Sequence, residues 1–575
     1  MTKRCFAHQP FRPLPLAASL AIAFVIGATT GCPNKPTRHH FEEEVVSDSE
    51  LFEHALNSIT KMYEFESENA GHQAVFHLNS WLKKQDAPEA WEVDPLTTLF
   101  PETILGSLEL KDIDRNQVVQ GDTGEIRQSL WLRDISQWAT STSQEVDPIT
   151  ERWIAHARET GSDDAANLLR EAIFLFDWTV RNIQLVSPRD AVADGFNNFP
   201  ETKAIPGPGY SQLPDDSVLL GSADVWERGQ VFLELLKQRK IPGAVLGIRD
   251  GDSIKPWACG VAIDGEVFVM DPALGLPLAI FGEGRLATLT ELAASPELFR
   301  SYDVGDEYRY VEAFQPGGLV ALISAPPFSL TQAAAQIQHR MTGERRWVLS
   351  SDPTELAREF TQHAAITEAR IWDLPVRAAI YRRTLTEKIA NDTDAANDYE
   401  RDRFAFDHGP LASARKLHIR GMFQKYDGGK PGALIFYRDL RQTEKAIDGL
   451  ADNRVLLHML GIQRVAFEPE EVFQVRVQFG KKVLEMSREH ASYFLGLLHY
   501  DAGNYQTSAN WLQKRTLDEF PMGHWRFGSA YNLARARERI EEWEQASQLL
   551  LLSESPQRHG DMLRARLIRT EVTER

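Results

Sequence analysis

One helical stretch followed at once by alternating strands fixes the fold class of the chain's middle. Val225 to Arg239 (VWERGQVFLELLKQR) sets Val225, Phe232, Leu235 and Leu236 on one helical stripe. Pro242 then denies the helix a continuation. Ala244 to Ile248 reads as a strand, and Asp250-Gly251-Asp252 turns the chain. Two alternating runs follow, Ala258 to Ile263 and Val267 to Met270, joined by Asp264-Gly265. Aspartate-glycine between alternating apolar runs signals a two-residue hairpin, whose central residues need positive φ. A helix feeding antiparallel strands is an α+β unit, and we assign it to residues 150–330.

The 575 residues leave room for three or four domains, so the expected architecture is multidomain α+β with helical flanks. Leu51, Ala55, Ile59 and Met62 recur at helical spacing, and Ile126 to Trp138 reads as another helix. Residues 41–145 are therefore taken as an N-terminal helical region. A strong helix ends at Phe174 to Ile183, ahead of a stretch rich in Pro, Gly and Asn from Pro188 to Asp216. That stretch is either a cover over a cleft or a variable insertion. Residues 331–480 are expected to be largely helical, with a turn at Asp427-Gly428-Gly429, and residues 481–575 to be helical hairpins.

The first 31 residues read as an export signal. Lys3, Arg4 and Arg12 precede an apolar run from Leu14 to Ala28, which is short for a membrane span. The run ends Thr29-Thr30-Gly31-Cys32, which resembles the lipobox of bacterial lipoproteins. That resemblance implies cleavage before Cys32, a lipid on its thiol, and residues 32–40 as a polar tether. It also implies a place in a bacterial cell envelope, held to a membrane through Cys32. An uncleaved N-terminal anchor is the alternative.

Charge and composition exclude several classes. Lys and Arg number 63 against 82 Asp and Glu, a formal charge of −19, with no compensating basic run. Nucleic acid is therefore not an expected partner, because phosphate contacts need clustered cations. Three cysteines, Cys5, Cys32 and Cys259, cannot make a disulfide scaffold. No metal-ligand spacing, phosphate loop, dinucleotide fingerprint or nucleophile elbow occurs, so no metal and no cofactor are expected. His39-His40, adjacent in a linker, is read as solvated.

Two resemblances organise the rest. At an offset of 38 residues, Leu495-Gly496 matches Leu533-Ala534, Tyr505 matches Trp543, Ser508 matches Ala546 and Leu512 matches Leu550. An earlier segment fits with Gly421, Ala433 and Tyr437. This pattern resembles the tetratricopeptide repeat, in which small residues let two helices pack closely. Such stacks typically bind peptides or proteins, which makes a protein or peptide the expected partner. The second resemblance is carried by GQVFLELLKQRKIPGA (229–244), PWACGVAI (256–263) and Met270-Asp271-Pro272. Their order and spacing resemble the transglutaminase-like (papain-related) superfamily.

That resemblance implies a cysteine at the helix N-terminus, a histidine on the following strand and an aspartate at the end of the next. Here the three positions hold Val225, Pro256 and Asp271. No histidine occurs between His156 and His339, and Cys259 is the one cysteine in that span. A cysteine–histidine pair cannot be assembled from within it. Trp226, Glu227, Arg228 and Trp257 flank the altered positions and are candidates to line a binding cleft or to pack in the core. The expected function is binding or scaffolding by a catalytically degenerate domain and helical repeats. The alternative is an active transglutaminase-like peptidase or amide transferase with a rearranged site, Cys259 meeting His156 or His339.

Overall fold

The computed structural model describes residues 48–573 apart from 66–67, 86–90, 101, 107–109, 111–112, 142–144, 187–211, 252, 311–317, 344–345, 376–389, 394–402 and 405–408. The leader, Cys32, the tether and most of the Pro188–Asp216 stretch lie outside the described residues. Among those described, no helix is long and apolar enough to cross a membrane.

The central sheet has six strands: β1 (Gly243–Asp250), β2 (Ser253–Ile263), β3 (Glu266–Asp271), β4 (Leu276–Pro277), β5 (Leu319–Ile323) and β6 (Ile366–Ile371). Their spatial order is β6-β5-β1-β2-β3-β4. All neighbours are antiparallel except β5 and β6. The β2–β3 hairpin turns at Asp264 and Gly265, both at positive φ (53° and 80°), as the aspartate-glycine signal requires. Strand β6 corrects the sequence reading, which left 331–480 largely helical. Ile366 and Ile371 are buried while Thr367 is exposed, a short half-covered edge with little periodicity to read.

Two helices position the sheet. The first, α1 (Asp163–Asn182), starts at Ser162, whose hydroxyl accepts from Ala165 N at 3.1 Å. The second, α2 (Val225–Arg239), stops with Lys240 at φ 58°, two residues ahead of Pro242. Phe176 of α1 meets Phe232 of α2 edge-on at 5.1 Å, both buried. The N-terminal helix Thr123–Ala139 packs on α2, its Ser136 hydroxyl donating to Leu235 O at 3.1 Å.

The C-terminal region is helical: α3 (Gly409–Ile419), α4 (Glu470–Asp501), α5 (Tyr505–Asn510), α6 (Arg526–Arg539), α7 (Trp543–Leu551) and α8 (Arg558–Ile568). The 38-residue offset reappears in the backbone. Gly503 after α4 and Glu541 after α6 both have positive φ, 74° and 62°. The same bonds follow, Asn504 N to His499 O at 2.7 Å and Glu542 N to Arg537 O at 2.9 Å. A side chain on Gly496 would come within 2.6 Å of Leu512, which is why a glycine sits there. The third segment departs from the sequence register. Gly421 lies beyond the end of α3 at φ 75°, with Met422 N bonded to Leu417 O, so it matches Gly503 and not Gly496. Contacts join Asp48–Arg575 into one compact unit, so the sequence-drawn regions share a continuous interior.

Candidate functional site

The site is built where the first turns of α2 pack against Cys259 of β2 and Pro272 just after β3. Asp224 caps the helix, its carboxylate accepting from Trp226 N at 2.7 Å and Glu227 N at 2.8 Å. Glu227 answers by accepting from Asp224 N at 3.1 Å and from Gln212 N at 3.0 Å. The helix's orphan donors are thus satisfied by a buried carboxyl, which burial raises to about 6. Val225 holds the first helical position as a half-buried apolar side chain.

Strand β2 is irregular at the second position. Leu246 pairs with Ala258 and Gly247 with Pro256, so Trp257 is an extra, bulged residue. A bulge tolerates a proline, which has no N–H to give the ladder. It also re-aims Trp257, whose indole N–H donates to the Tyr310 hydroxyl at 3.2 Å. The Tyr310 hydroxyl in turn donates to Asp271 Oδ2 at 2.6 Å. Asp271 Oδ1 accepts from Ala273 N at 2.7 Å and Leu274 N at 3.1 Å, which shapes the turn after β3. Burial raises the Asp271 carboxyl against the pull of these donors. Burial and the adjacent Asp271 push the Tyr310 phenol well above its ordinary range, so it keeps the proton it donates.

His559 of α8 arrives beside this chain from the far end of the sequence. Its ring lies 5.4 Å from Tyr308 and 6.2 Å from Tyr310, and its Nε2 is 2.7 Å from Tyr302 O. It meets the aromatic wall, not a thiol. Cys259 is fully buried mid-strand, paired with Val245 and Met270. Burial, then the Asp271 carboxylate, push its thiol far up. A thiolate nucleophile needs the opposite environment. His156 lines a separate cavity of about 240 Å³, with Trp153, Leu169, Phe268 and Arg285, and Cys259 is not in its wall. His339 is exposed.

Burial puts three of the four sequence-named cleft residues inside the fold rather than on a cleft wall. Trp226 packs edge-on against buried Trp372 at 6.4 Å. Glu227 serves the cap. Arg228 donates to Pro272 O at 3.1 Å, Val180 O at 2.7 Å and Gln557 Oε1 at 2.7 Å. It lines a water-sized cavity of about 20 Å³, and burial lowers its guanidinium to about 10. Trp257 alone stays half-buried.

A second buried polar cluster escaped sequence reasoning. Arg181 of α1 donates to Asp177 Oδ2 and to Asp501 Oδ1 of α4, both at 2.7 Å. Asp501 Oδ2 lies 3.1 Å from Nε2 of His418 on α3. Burial lowers His418 to about 4, so the neutral ring donates from Nε2 to Asp501 and accepts at Nδ1 from Arg415 at 3.2 Å. Arg415 also donates to Asn182 Oδ1 and Val218 O, each at 3.1 Å. The adjoining cavity is about 50 Å³, room for water and not for a substrate. Residues 181, 418 and 501 have no sequence spacing that could have joined them; the aspartate closes one helix hairpin while its partners sit far upstream. No cluster of three metal-ligating side chains occurs among the described residues. No protein family, no curated protein and no solved structure matches the chain.

Proposed function

We propose that the chain is a membrane-anchored envelope lipoprotein that binds or scaffolds through a catalytically degenerate transglutaminase-like domain and helical repeats. The observation that carries this reading is the state of the three triad positions. Val225 is apolar under a helix cap already filled by Asp224. Pro256 adjoins the bulge, and Asp271 serves Tyr310 and its own turn. The superfamily reading is supported by the packing of α2 on the middle of β2 and on the turn after β3. A side chain at Gly229 would touch Cys259 Sγ at 3.4 Å and Pro272 Cγ at 3.6 Å. The scaffold reading is supported by the matched turns of the two C-terminal hairpins.

The test is paired. Full-length protein made with an alkyne-tagged fatty acid takes up label and sediments with membranes, and Cys32→Ala does neither. Peptide-amide hydrolysis and amine transfer stay at background for wild type and for Cys259→Ala alike. A rate that disappears in Cys259→Ala would establish the rearranged-site enzyme instead. Labelling that survives Cys32→Ala would remove the lipid anchor.

A further inference from the structure

The N-terminal half of helix α4 is covered on one side only. On one side of that half, Phe473, Val477 and Leu484 pack on Leu450, Leu456 and Ile462 in a small cluster of their own. On the other side, Val472, Val475 and Phe479 are 48%, 69% and 67% exposed. Their i, i+3, i+7 spacing makes one stripe. At 100° per residue, Glu471 and Lys482 fall on the same face, one at each end. Both are exposed, and neither is in an ion pair among the described residues.

We propose that this face pairs antiparallel with the same face of a second copy of the chain. Charge complementarity selects that occupant. A two-fold axis between Arg476 and Val477 sets Glu471 of each copy across from Lys482 of the other. The midpoint of the apolar stripe, beside Val475, falls about one residue (roughly 1.5 Å) from that axis, so the stripe overlaps its copy in the isologous arrangement of a closed dimer. Parallel pairing would set Glu471 on Glu471 and Lys482 on Lys482. Anionic lipid would leave Glu471 facing like charge at one end of the stripe, since Arg476 and Arg464 already neutralise Glu468 and Glu470 but no cation neutralises Glu471 among the described residues. Phe467, fully exposed four residues before Glu471, extends the apolar surface toward the place where the same axis brings the second copy's half-buried Met486. The proposal does not depend on the degenerate domain or the lipid on Cys32.

Cross-linking of the full-length chain in its own membranes tests this. Gln478 is exposed and adjoins the proposed axis, and Gln478→Cys is read against the unsubstituted chain, which carries the same Cys5, Cys32 and buried Cys259 and measures their background. A short bis-maleimide is expected to give a covalent dimer. Adding Glu471→Lys, or Lys482→Glu, is expected to lower the dimer fraction by roughly threefold to tenfold, because like charges then face each other twice. Adding both restores it to within about twofold. Rescue by the double reversal is specific to antiparallel self-pairing. A chain that gives no dimer, or a double reversal as weak as the singles, overturns the proposal. So does a dimer indifferent to both charges. Membrane retention lost on Phe479→Ser with no dimer in any variant would make the stripe a lipid contact instead.

Discussion

The two halves of α4 obey opposite rules. From Ser487 to Asp501 the helix is largely buried, and it ends in a buried carboxylate held by Arg181 and His418. From Glu470 to Phe479 it turns valines and a phenylalanine outward. The contrast teaches that burial follows partners rather than polarity. A buried charge is tolerated where every donor and acceptor around it is answered. An apolar stripe in water marks a surface whose partner lies outside the chain.

Predictions follow from breaking each half. The largest effect belongs to the buried end. Asp501→Ala leaves Arg181 and His418 facing a void, and is expected to cost about 3–5 kcal/mol in denaturant unfolding. A loss below about 1 kcal/mol would mean that the ion pair adds nothing to the junction of α1, α3 and α4. Next is acid. Burial keeps His418 neutral in the folded chain down to about pH 4, against an ordinary value of 6.5. The unfolded chain takes up that proton first, so the His418 contribution to stability falls by about 3 kcal/mol as pH drops from 6.5 toward 4 and then levels off, against the opposite contribution of Asp224, whose raised carboxyl binds its proton first in the folded chain. Asp177 and Asp501 are held below the usual carboxylate range and carry the loss to lower pH. Unfolding midpoints across that window check the slope, and His418→Asn should flatten it.

Gly496→Ala should destabilise by about 1–3 kcal/mol, since its methyl meets Leu512 at 2.6 Å in a filled interior. Thermal unfolding of this variant beside Gly503→Ala separates close packing from turn strain. Trp257→Phe removes one donor to Tyr310 and should cost about 1 kcal/mol by urea titration. The smallest change reverses sign and belongs to the exposed end. Phe467 sits at φ 65° with its ring in water, a conformation that asparagine accepts more readily. Phe467→Asn is expected to raise the unfolding midpoint slightly, by up to about 1 kcal/mol of stability. A clear loss would mean that the ring packs, within the monomer if the loss is independent of protein concentration and against the second copy if it is not.

Local order was legible because it is written in neighbours. The α2 stripe, the Asp264-Gly265 hairpin and the 38-residue offset each rest on spacings short enough for side chains and turns to enforce. The misplacement of Gly421 has the same root. Glycine serves both as the small residue of a helix contact and as the positive-φ residue that ends a helix, and sequence spacing alone did not tell these apart. Strand β6 was missed because its pattern is half-covered and its partner β5 is over forty residues away.

The sequence by itself determined the fold class of the middle, the helical hairpins of the C-terminus and the absence of an internal cysteine–histidine pair. It determined them because periodicity, turn chemistry and residue inventory are properties of the chain alone. Only the tertiary structure decided that Trp226, Glu227 and Arg228 are interior, that Tyr310 and His559 gather beside Asp271, and that Arg181, His418 and Asp501 form one cluster. Burial and partnership between residues hundreds of positions apart depend on how the helices dock, and no local pattern encodes that docking.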